Sequence, residues 1–209
     1  MSAGGPDQSS GSAAPGPPTT PRVPLLDVGE ATARAEQAGV PSYLPRLSIF
    51  QVLLQHPRLA RSLSDLLTTL LFEGALDPRL RELMIMRLGW ATDSVYEWTQ
   101  HWQIAVALGI PAEDLVGVRH WRDHQPFGPS ERAVLQAVDD TVGTGSLRAE
   151  TWAALEEHVS TDPAVLLEVV GVVGAWRMVS GLLRSLGVPL EPGVDPWPPD
   201  GRSPAGDAR

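Results

Sequence analysis

Glu97 and His101 are the residues best suited to chemistry, because they lie four positions apart within a helical pattern and therefore share one helix face. A carboxylate beside an imidazole raises the pKa of the histidine and orients its ring. Such a pair can move protons near neutral pH. Ser94 lies one turn earlier on the same face, and Glu82 lies on the preceding helix, twelve residues before Ser94. If the two helices form a hairpin, Glu82 reaches the same site.

Aromatic residues flank the members of this pair in the sequence, namely Tyr96, Trp98 and Trp102. They predict a partly buried site with apolar walls, where pKa values shift most. Arg177 lies in an otherwise apolar stretch and must find a partner or an anion. We therefore predict Arg177 as the group that holds a substrate carboxylate, and Ser94, Tyr96, Trp98 and Trp102 as further substrate-binding residues.

Plainer interpretations of the same residues stay open. Glu97 and His101 could form an ordinary helical ion pair that contributes roughly 0.2–0.5 kcal/mol, and Ser94 could simply cap its helix. His120 and His124 are four apart, with Asp123 beside them, which is a spacing found in metal sites. That segment lacks a further well-spaced ligand, so we do not expect a metal there.

The elements that must position these residues are helices. Asp-Pro pairs at 77–78 and 162–163 are helix-start signals, and Gly109 and Gly187 are stop signals. No alternation typical of strands appears, so the predicted fold class is all-α with helix-on-helix packing. Apolar spacing predicts helices at about 48–55, 57–71, 78–91, 94–108, 111–118, 129–142, 148–159 and 163–186.

The chain of 209 residues suits one domain with two tails. Residues 1–22 are rich in Ser, Gly, Pro and Ala and are predicted to be disordered. Residues 23–188 form the predicted helical domain. Residues 189–209 are rich in proline and are predicted to be extended or disordered, with Trp197 as a candidate docking residue.

Composition excludes several kinds of chemistry. There is no cysteine, which removes disulfides, thiolate metal sites and cysteine nucleophiles, and all 16 basic residues are arginine, which removes imine catalysis by lysine. A net charge of -9 with dispersed cations argues against nucleic-acid binding. The longest apolar segment, 164–186, is interrupted by Glu168, Arg177 and Arg184, so we expect no membrane span and a cytoplasmic protein.

Two segments resemble the carboxymuconolactone decarboxylase and alkyl hydroperoxidase D-like (AhpD-like) family. They are residues 76–87, which read Leu-Asp-Pro-Arg-Leu-Arg-Glu-Leu-Met-Ile-Met-Arg, and residues 96–101, which read Tyr-Glu-Trp-Thr-Gln-His. Redox members of the family carry a Glu, a Cys-x-x-Cys motif twelve residues later, and a His four residues beyond the second Cys. Glu82 and His101 keep this frame, whereas Ser94 and Glu97 stand at the cysteine positions. The resemblance covers about residues 24–189 and implies an AhpD-like helical bundle.

The resemblance also implies a function. Without cysteine, thiol peroxidase activity is excluded, and what remains is acid–base chemistry of the decarboxylase branch. We therefore expect a lyase that needs no metal or organic cofactor and acts on a small organic acid, lactone or cyclic metabolite by decarboxylation, elimination, isomerisation or cyclisation. His101 would transfer a proton, and Glu82 and Glu97 would set its charge. Family members form oligomers, so a homo-oligomer (dimer, trimer or hexamer) is expected.

Two other functions stay open at this point. The chain could be a non-catalytic ligand-binding or oligomeric scaffold protein of the same fold. It could also be a metal-dependent hydrolase or oxygenase, because two carboxylates and one histidine are a plausible ligand set.

Overall fold

The structure, a computed structural model, describes residues 20–207, and all regular structure in this part of the chain is helical. The all-α prediction is confirmed. Of the predicted disordered segment 1–22, residues 1–19 lie outside the described residues. The helices are α1 (Val28–Ala38), α2 (Ser48–Leu53), α3 (Pro57–Thr68), α4 (Pro78–Ala91), α5 (Val95–Ala107), α6 (Ala112–Gly117), α7 (Pro129–Thr144), α8 (Ala149–His158), α9 (Pro163–Leu186) and α10 (Pro204–Asp207).

The start signals act as the sequence predicts. The side chain of Asp77 accepts a hydrogen bond from the backbone N–H of Leu80 (3.0 Å) at the start of α4, and Asp162 caps α9 through Ala164 N–H (2.9 Å). Helix α9 ends at Gly187, whose φ of 64° is left-handed. Helix α1 was not predicted. It begins after Asp27, which caps the backbone N–H of Glu30 (2.9 Å).

Helix α4 lies at the centre of the fold. It is buried on nearly all sides even though it carries charged residues, among them the buried Arg81 and Glu82. Residues 83–86 are all fully buried, because α4 packs against α5, α7 and α9. Gly89 permits the close approach of α5, since a Cβ there would lie 3.0 Å from the backbone N of Trp98. The α4–α5 hairpin, which the candidate site needs, is therefore formed.

Helix α9 covers the second long side of this core. It is the helix in residues 20–207 that is long and apolar enough, by length and composition, to cross a membrane. In the structure, 44% of its most apolar stretch is buried inside the protein. Glu168 accepts hydrogen bonds from the backbone N–H groups of Ala75 (3.0 Å) and Leu76 (2.7 Å), which holds α9 to the turn before α4. Here α9 serves as a core helix.

The proline-rich end, predicted to be extended or disordered with Trp197 as a candidate docking residue, docks on the domain through Trp197. Within the described residues 189–207, Trp197 is buried against the indoles of Trp90 and Trp98, with ring centroids 5.8 and 6.0 Å away. The indole N–H of Trp98 donates to the carbonyl of Pro198 (2.7 Å). One large aromatic side chain and a matched hydrogen bond thus offset the chain entropy of a segment that lacks helical periodicity.

Two carboxylates fix the same segment to the domain. Asp200 accepts two hydrogen bonds from the guanidinium of Arg119 (2.8 and 2.9 Å), which is buried over the rings of Trp90 and Trp98. Glu191 accepts hydrogen bonds from Ser48 N–H (2.8 Å) and from the side chains of Tyr96 and Gln100 (2.5 Å each). The segment therefore braces α2 against α5.

Replacing Trp197 tests this docking. Trp197→Ala removes a buried indole, and we expect the free energy of unfolding to fall by about 3 kcal/mol, measured by urea denaturation. Trp152→Ala on α8 is the matched control, because Trp152 is exposed, and it should cost less than about 1 kcal/mol. Equal denaturation midpoints for the wild type and Trp197→Ala would show that the segment does not pack on the domain in solution.

Candidate active site

Glu82 and His101 form a buried hydrogen-bonded pair between α4 and α5. His101 Nδ1 lies 2.7 Å from Glu82 Oε2, and Glu82 has no solvent exposure. The other carboxylate oxygen, Oε1, accepts from Arg81 Nε (3.1 Å). A buried carboxylate is costly unless it is paired, so both oxygens of Glu82 are satisfied by neighbouring cations or donors.

Trp176 on α9 holds the far side of the imidazole. Its indole N–H donates to His101 Nε2 (2.9 Å), and the two rings meet edge to face with centroids 5.5 Å apart. Because Nε2 accepts this bond, Nδ1 carries the proton that is donated to Glu82; we infer this tautomer from the hydrogen-bond network. Both ring nitrogens are therefore engaged. An N–H aimed at Nε2 also occupies the lone pair that a metal ion would need.

Glu97 is the third titratable group of the site. Its Oε2 lies 3.7 Å from His101 Nε2, which is too far for a hydrogen bond but close enough for a strong interaction between charges. Burial is the main influence and, with the negative charge of Glu82, raises the pKa of Glu97 to about 7, while the charge of His101 and a hydrogen bond from Trp176 oppose the rise. At neutral pH this carboxyl can both take up and release a proton.

The pKa values of the paired groups move in opposite directions. Burial alone would raise the pKa of Glu82, but the charges and hydrogen bonds of His101 and Arg81 outweigh it and hold that pKa below its usual value. Burial alone would lower the pKa of His101, whereas the charges of Glu82 and Glu97 and the Glu82 hydrogen bond bring it above its usual value. Glu82 is thus the anion of the site, and Glu97 is the carboxyl that can exchange a proton near neutral pH.

Glu97 and His101 line a small apolar cavity of about 170 Å³. Its mouth is formed by exposed side chains, among them Tyr43, Phe72 and Ile104. The lining residues are Tyr43, Leu44, Leu47, Ile49, Phe50, Ser64, Leu67, Thr68, Leu71, Phe72, Tyr96, Glu97, Gln100, His101, Ile104, Trp176 and Val179. The cavity is only slightly larger than an engineered apolar cavity of ~150 Å³ that binds benzene. Its size suits a single-ring compound.

The structure brings together four of the predicted residues: Glu82, Glu97, His101 and Tyr96. Tyr96 lines the cavity and donates its phenolic O–H to Glu191 (2.5 Å). Burial is the largest influence on the pKa of Tyr96 and, together with the hydrogen bond and charge of Glu191, raises it above its usual value, so the phenol stays protonated. Tyr96 therefore acts as a wall of the cavity that the C-terminal segment holds in place.

Trp98 and Trp102 do not line the cavity, contrary to the prediction. They stack on each other with ring centroids 6.2 Å apart, and Trp98 packs against Trp90 and Trp197. The reason is helical geometry, because Trp98 and Trp102 each follow directly after Glu97 and His101 and so project about 100° away around α5. Their face meets the C-terminal segment instead.

Ser94 and Arg177 also lie away from the cavity. Ser94 is buried at the start of α5, makes no capping hydrogen bond, and lines a different cavity with Leu183 and Pro189. Arg177 is exposed, and its guanidinium donates to the carbonyl of Thr141 (2.6 Å). Arg177 therefore lies outside this cavity, because it directly follows Trp176 on α9 and its side chain projects about 100° away around the helix.

Most residues of the cavity lining were not predicted as site residues, and Trp176 and Ser64 are two of them. The apolar pattern of α9 predicts core packing for Trp176, and nothing in the sequence indicates that its indole N–H bonds to His101. Ser64 is one polar residue within the leucine-rich face of α3, where Leu67 and Leu71 also line the cavity. The polar interruption of that face is the one signal that could have indicated Ser64.

Of the two histidines His120 and His124, His124 has a structural role. His124 Nε2 lies 2.9 Å from Asp114 Oδ1, and Asp114 also accepts from Arg79 (2.8 Å). Within residues 20–207, no three His, Asp or Glu side chains group closely enough to hold a metal ion.

Comparisons with known proteins agree with this architecture. Residues 57–140 match the model of the carboxymuconolactone decarboxylase family, a segment that includes Glu82, Glu97 and His101. No curated protein sequence matches the chain. The family match therefore covers not only residues 76–87 and 96–101 but also the helices on both sides of them.

Solved structures share the fold at low sequence identity. An AhpD-core, peroxidase-related protein from Ralstonia eutropha JMP134 has a TM-score of 0.68 at 15% identity, over 89% of this chain and 98% of that one. A peroxidase-related protein from Silicibacter sp. TM1040 has a TM-score of 0.64 at 14% identity, over 89% and 97%. The debrominase Bmp8, in a cysteine-to-alanine variant bound to 2,3,4-tribromopyrrole, has a TM-score of 0.66 at 15% identity, over 84% and 94%. These likenesses confirm the AhpD-like fold.

The raised pKa of Glu97 predicts how stability depends on pH. A carboxyl with a pKa of about 7 in the folded state and 4.5 in the unfolded chain binds more protons when folded, so stability falls as pH rises between these values. At about 1.4 kcal/mol per pKa unit the full effect is about 3 kcal/mol. Glu97→Gln should remove it, so the variant gains stability relative to the wild type from pH 5 to pH 8.

Urea denaturation at several pH values measures this difference. Glu156→Gln is the matched control, because Glu156 is exposed on α8, and it should follow the wild-type profile. A constant difference between Glu97→Gln and the wild type from pH 5 to pH 8 would contradict the assignment of a neutral-range pKa to Glu97.

Proposed function

Because the chain belongs to the carboxymuconolactone decarboxylase and AhpD-like family, we propose that it is a cofactor-free acid–base enzyme for a small, cyclic, lactone-like metabolite. The observation that carries this proposal is Glu97, a buried carboxyl with a pKa of about 7 that lines an apolar cavity. A base with a pKa near the working pH gives the most effective proton transfer.

In this proposal Glu97 exchanges the proton with the substrate. His101 was the expected carrier, but its two ring nitrogens are held by Glu82 and Trp176. Glu97 has no comparable pair of partners and lies at the cavity wall. His101 and Glu82 act as positioning residues. The negative charge of the buried Glu82 raises the pKa values of both His101 and Glu97.

The lining of the cavity favours a neutral substrate. No arginine lines it, and Arg177 lies outside it. A substrate carboxylate would therefore enter an apolar cavity beside two carboxyl groups without a guanidinium partner, which is costly. Of the reactions expected from the sequence, isomerisation by proton removal and return fits the cavity better than decarboxylation.

The proposed reaction needs only the residues present. The Glu97 carboxylate removes a proton from the carbon next to the substrate carbonyl, and the electron pair of that C–H bond moves into the ring to give an enolate. Glu97 then returns the proton to another ring carbon, which moves a double bond without net oxidation. Thiol chemistry is unavailable because the chain has no cysteine, whereas proton transfer requires no redox partner.

Ligand size in a similar structure supports a ring of this kind. The debrominase Bmp8 binds 2,3,4-tribromopyrrole, a single five-membered ring. A cavity of about 170 Å³ accepts a ring of that size but not a fused aromatic system with several substituents. This comparison concerns size alone.

Isomerisation of α-angelica lactone tests the proposal. This neutral lactone becomes its conjugated isomer when a proton leaves the α carbon and one returns at the γ carbon, which NMR follows directly. We expect turnover by the wild type that rises with pH through about 7 as Glu97 ionises, and a loss of at least about 100-fold in kcat/KM for Glu97→Gln. Glu156→Gln should keep the wild-type rate.

A carboxylate-bearing comparison compound tests the choice of reaction. If carboxymuconolactone is decarboxylated while α-angelica lactone is not turned over, the isomerisation assignment fails and decarboxylation replaces it. If Glu97→Gln isomerises the neutral lactone as fast as the wild type, Glu97 is not the base.

The proposal includes self-association in the cytoplasm. Helix α9 leaves Leu167, Val170 and Met178 exposed on its outer side, and exposed apolar side chains in a row are typical of a contact between copies. Replacing Leu167 and Val170 together by Glu should convert the protein to monomers, as measured by light scattering. An unchanged molar mass would place any contact elsewhere.

A further inference from the structure

The hydroxyl of Ser64 is buried at the cavity wall without a hydrogen-bond partner. Ser64 is 1% exposed, and its Oγ bonds to no other group within the described residues. It lines the same cavity as Glu97 and His101. A buried hydroxyl that lacks a partner costs roughly 1–3 kcal/mol, so a ligand atom that accepts its proton would recover that free energy.

Helical serines and threonines usually solve this problem locally by bonding to a carbonyl one turn earlier. Four threonines among the described residues do so: Thr32 bonds to Val28 O, Thr92 to Leu88 O, Thr141 to Ala137 O and Thr144 to Asp140 O. Ser64 on α3 makes no such bond, although the backbone of its helix offers the same carbonyl. Its hydroxyl therefore keeps its donor capacity for another group.

We infer that Ser64 donates a hydrogen bond to a carbonyl oxygen of the ligand, so that the cavity selects neutral single-ring ketones and lactones over hydrocarbons of the same shape. This inference rests on the proposed function and deepens it by naming the ligand class. The lining supports a neutral ring, because most of it is apolar and, among the described residues that form it, the only acidic or basic side chains apart from two tyrosines are Glu97 and His101.

The same contact acts on the reaction. When Glu97 removes the α proton, the C–H bond breaks, the proton goes to the Glu97 carboxylate, and the electron pair shifts so that negative charge collects on the carbonyl oxygen. A fixed O–H donor stabilises that oxygen more than it stabilises the neutral carbonyl. Ser64 and Glu97 come from α3 and α5, so one ring placed between these helices contacts both.

A pair of isosteric probes isolates the hydrogen bond. Cyclopentanone and methylenecyclopentane have the same ring and differ in C=O against C=CH₂. Their dissociation constants for the wild type, Ser64→Ala and Ser180→Ala are measured by NMR titration. Ser180 is the matched control, because its hydroxyl on α9 is also buried and unpartnered but does not line this cavity.

We expect Ser64→Ala to reduce the preference for the ketone over the alkene by about three- to tenfold, the range for one hydrogen bond. Ser180→Ala should leave the preference unchanged. An unchanged preference in Ser64→Ala, or a wild type that binds neither probe, overturns the inference. Thermal melting checks folding, and both alanine variants should melt no lower than the wild type, because each removes an unpartnered buried hydroxyl.

The outcome is separable from that of the proposed function. Hydrogen–deuterium exchange at the α carbons of cyclopentanone reports proton transfer, whereas the dissociation constants report the Ser64 contact alone. If Ser64→Ala loses the ketone preference while the wild type shows no exchange, the contact stands and the catalytic proposal fails. If exchange occurs and the preference is unaffected by Ser64→Ala, catalysis stands and the Ser64 contact fails.

Discussion

The fold depends on how it accommodates one fully buried carboxylate. Glu82 lies in the middle of α4, the most thoroughly buried helix, where an unpaired charge would cost several kcal/mol. Each of its two oxygens therefore needs a hydrogen-bond donor. Arg81 donates to one, and α5 packs in the register that brings His101 to the other. Helix α9 follows, because Trp176 must reach the remaining nitrogen of His101. The need to pair the charge of Glu82 thus fixes how α4, α5 and α9 pack together.

The sequence predicted the helices and the pairing of Glu82 with the Glu97–His101 face, because capping residues and four-residue spacing are local signals. It did not predict which face of α5 borders the cavity. Glu97 and His101 form one pair at helical spacing and Trp98 and Trp102 form another directly beside it, and both faces are buried. Only contacts distant in sequence separate them, since the tryptophan face is covered by Trp197. The positions of Arg177 and Ser64 relative to the cavity were not predicted for the same reason.

Glu97 occupies a position at which redox members of the resembled family carry a cysteine. A carboxyl at this position favours proton transfer over electron transfer. A thiol pair passes electrons, whereas a carboxyl with a pKa of about 7 passes protons. The other such position, Ser94, lies outside this cavity lining. The two positions therefore differ in this chain: Glu97 lies beside His101 at the cavity, and Ser94 is packed at the start of its helix.

The brace formed by Glu191 has a consequence for how the protein is made. Its carboxylate bonds Ser48, 143 positions earlier in the chain, and joins it to Tyr96 and Gln100 at the cavity wall. A ribosome releases residues in order, so the helices that carry Glu82, Glu97 and His101 emerge and can pack well before Glu191 does. The wall of the cavity is completed only after α9 has emerged, and a chain that ended at residue 187 would keep helices α1 to α9 but lose the Glu191 bonds to Tyr96 and Gln100.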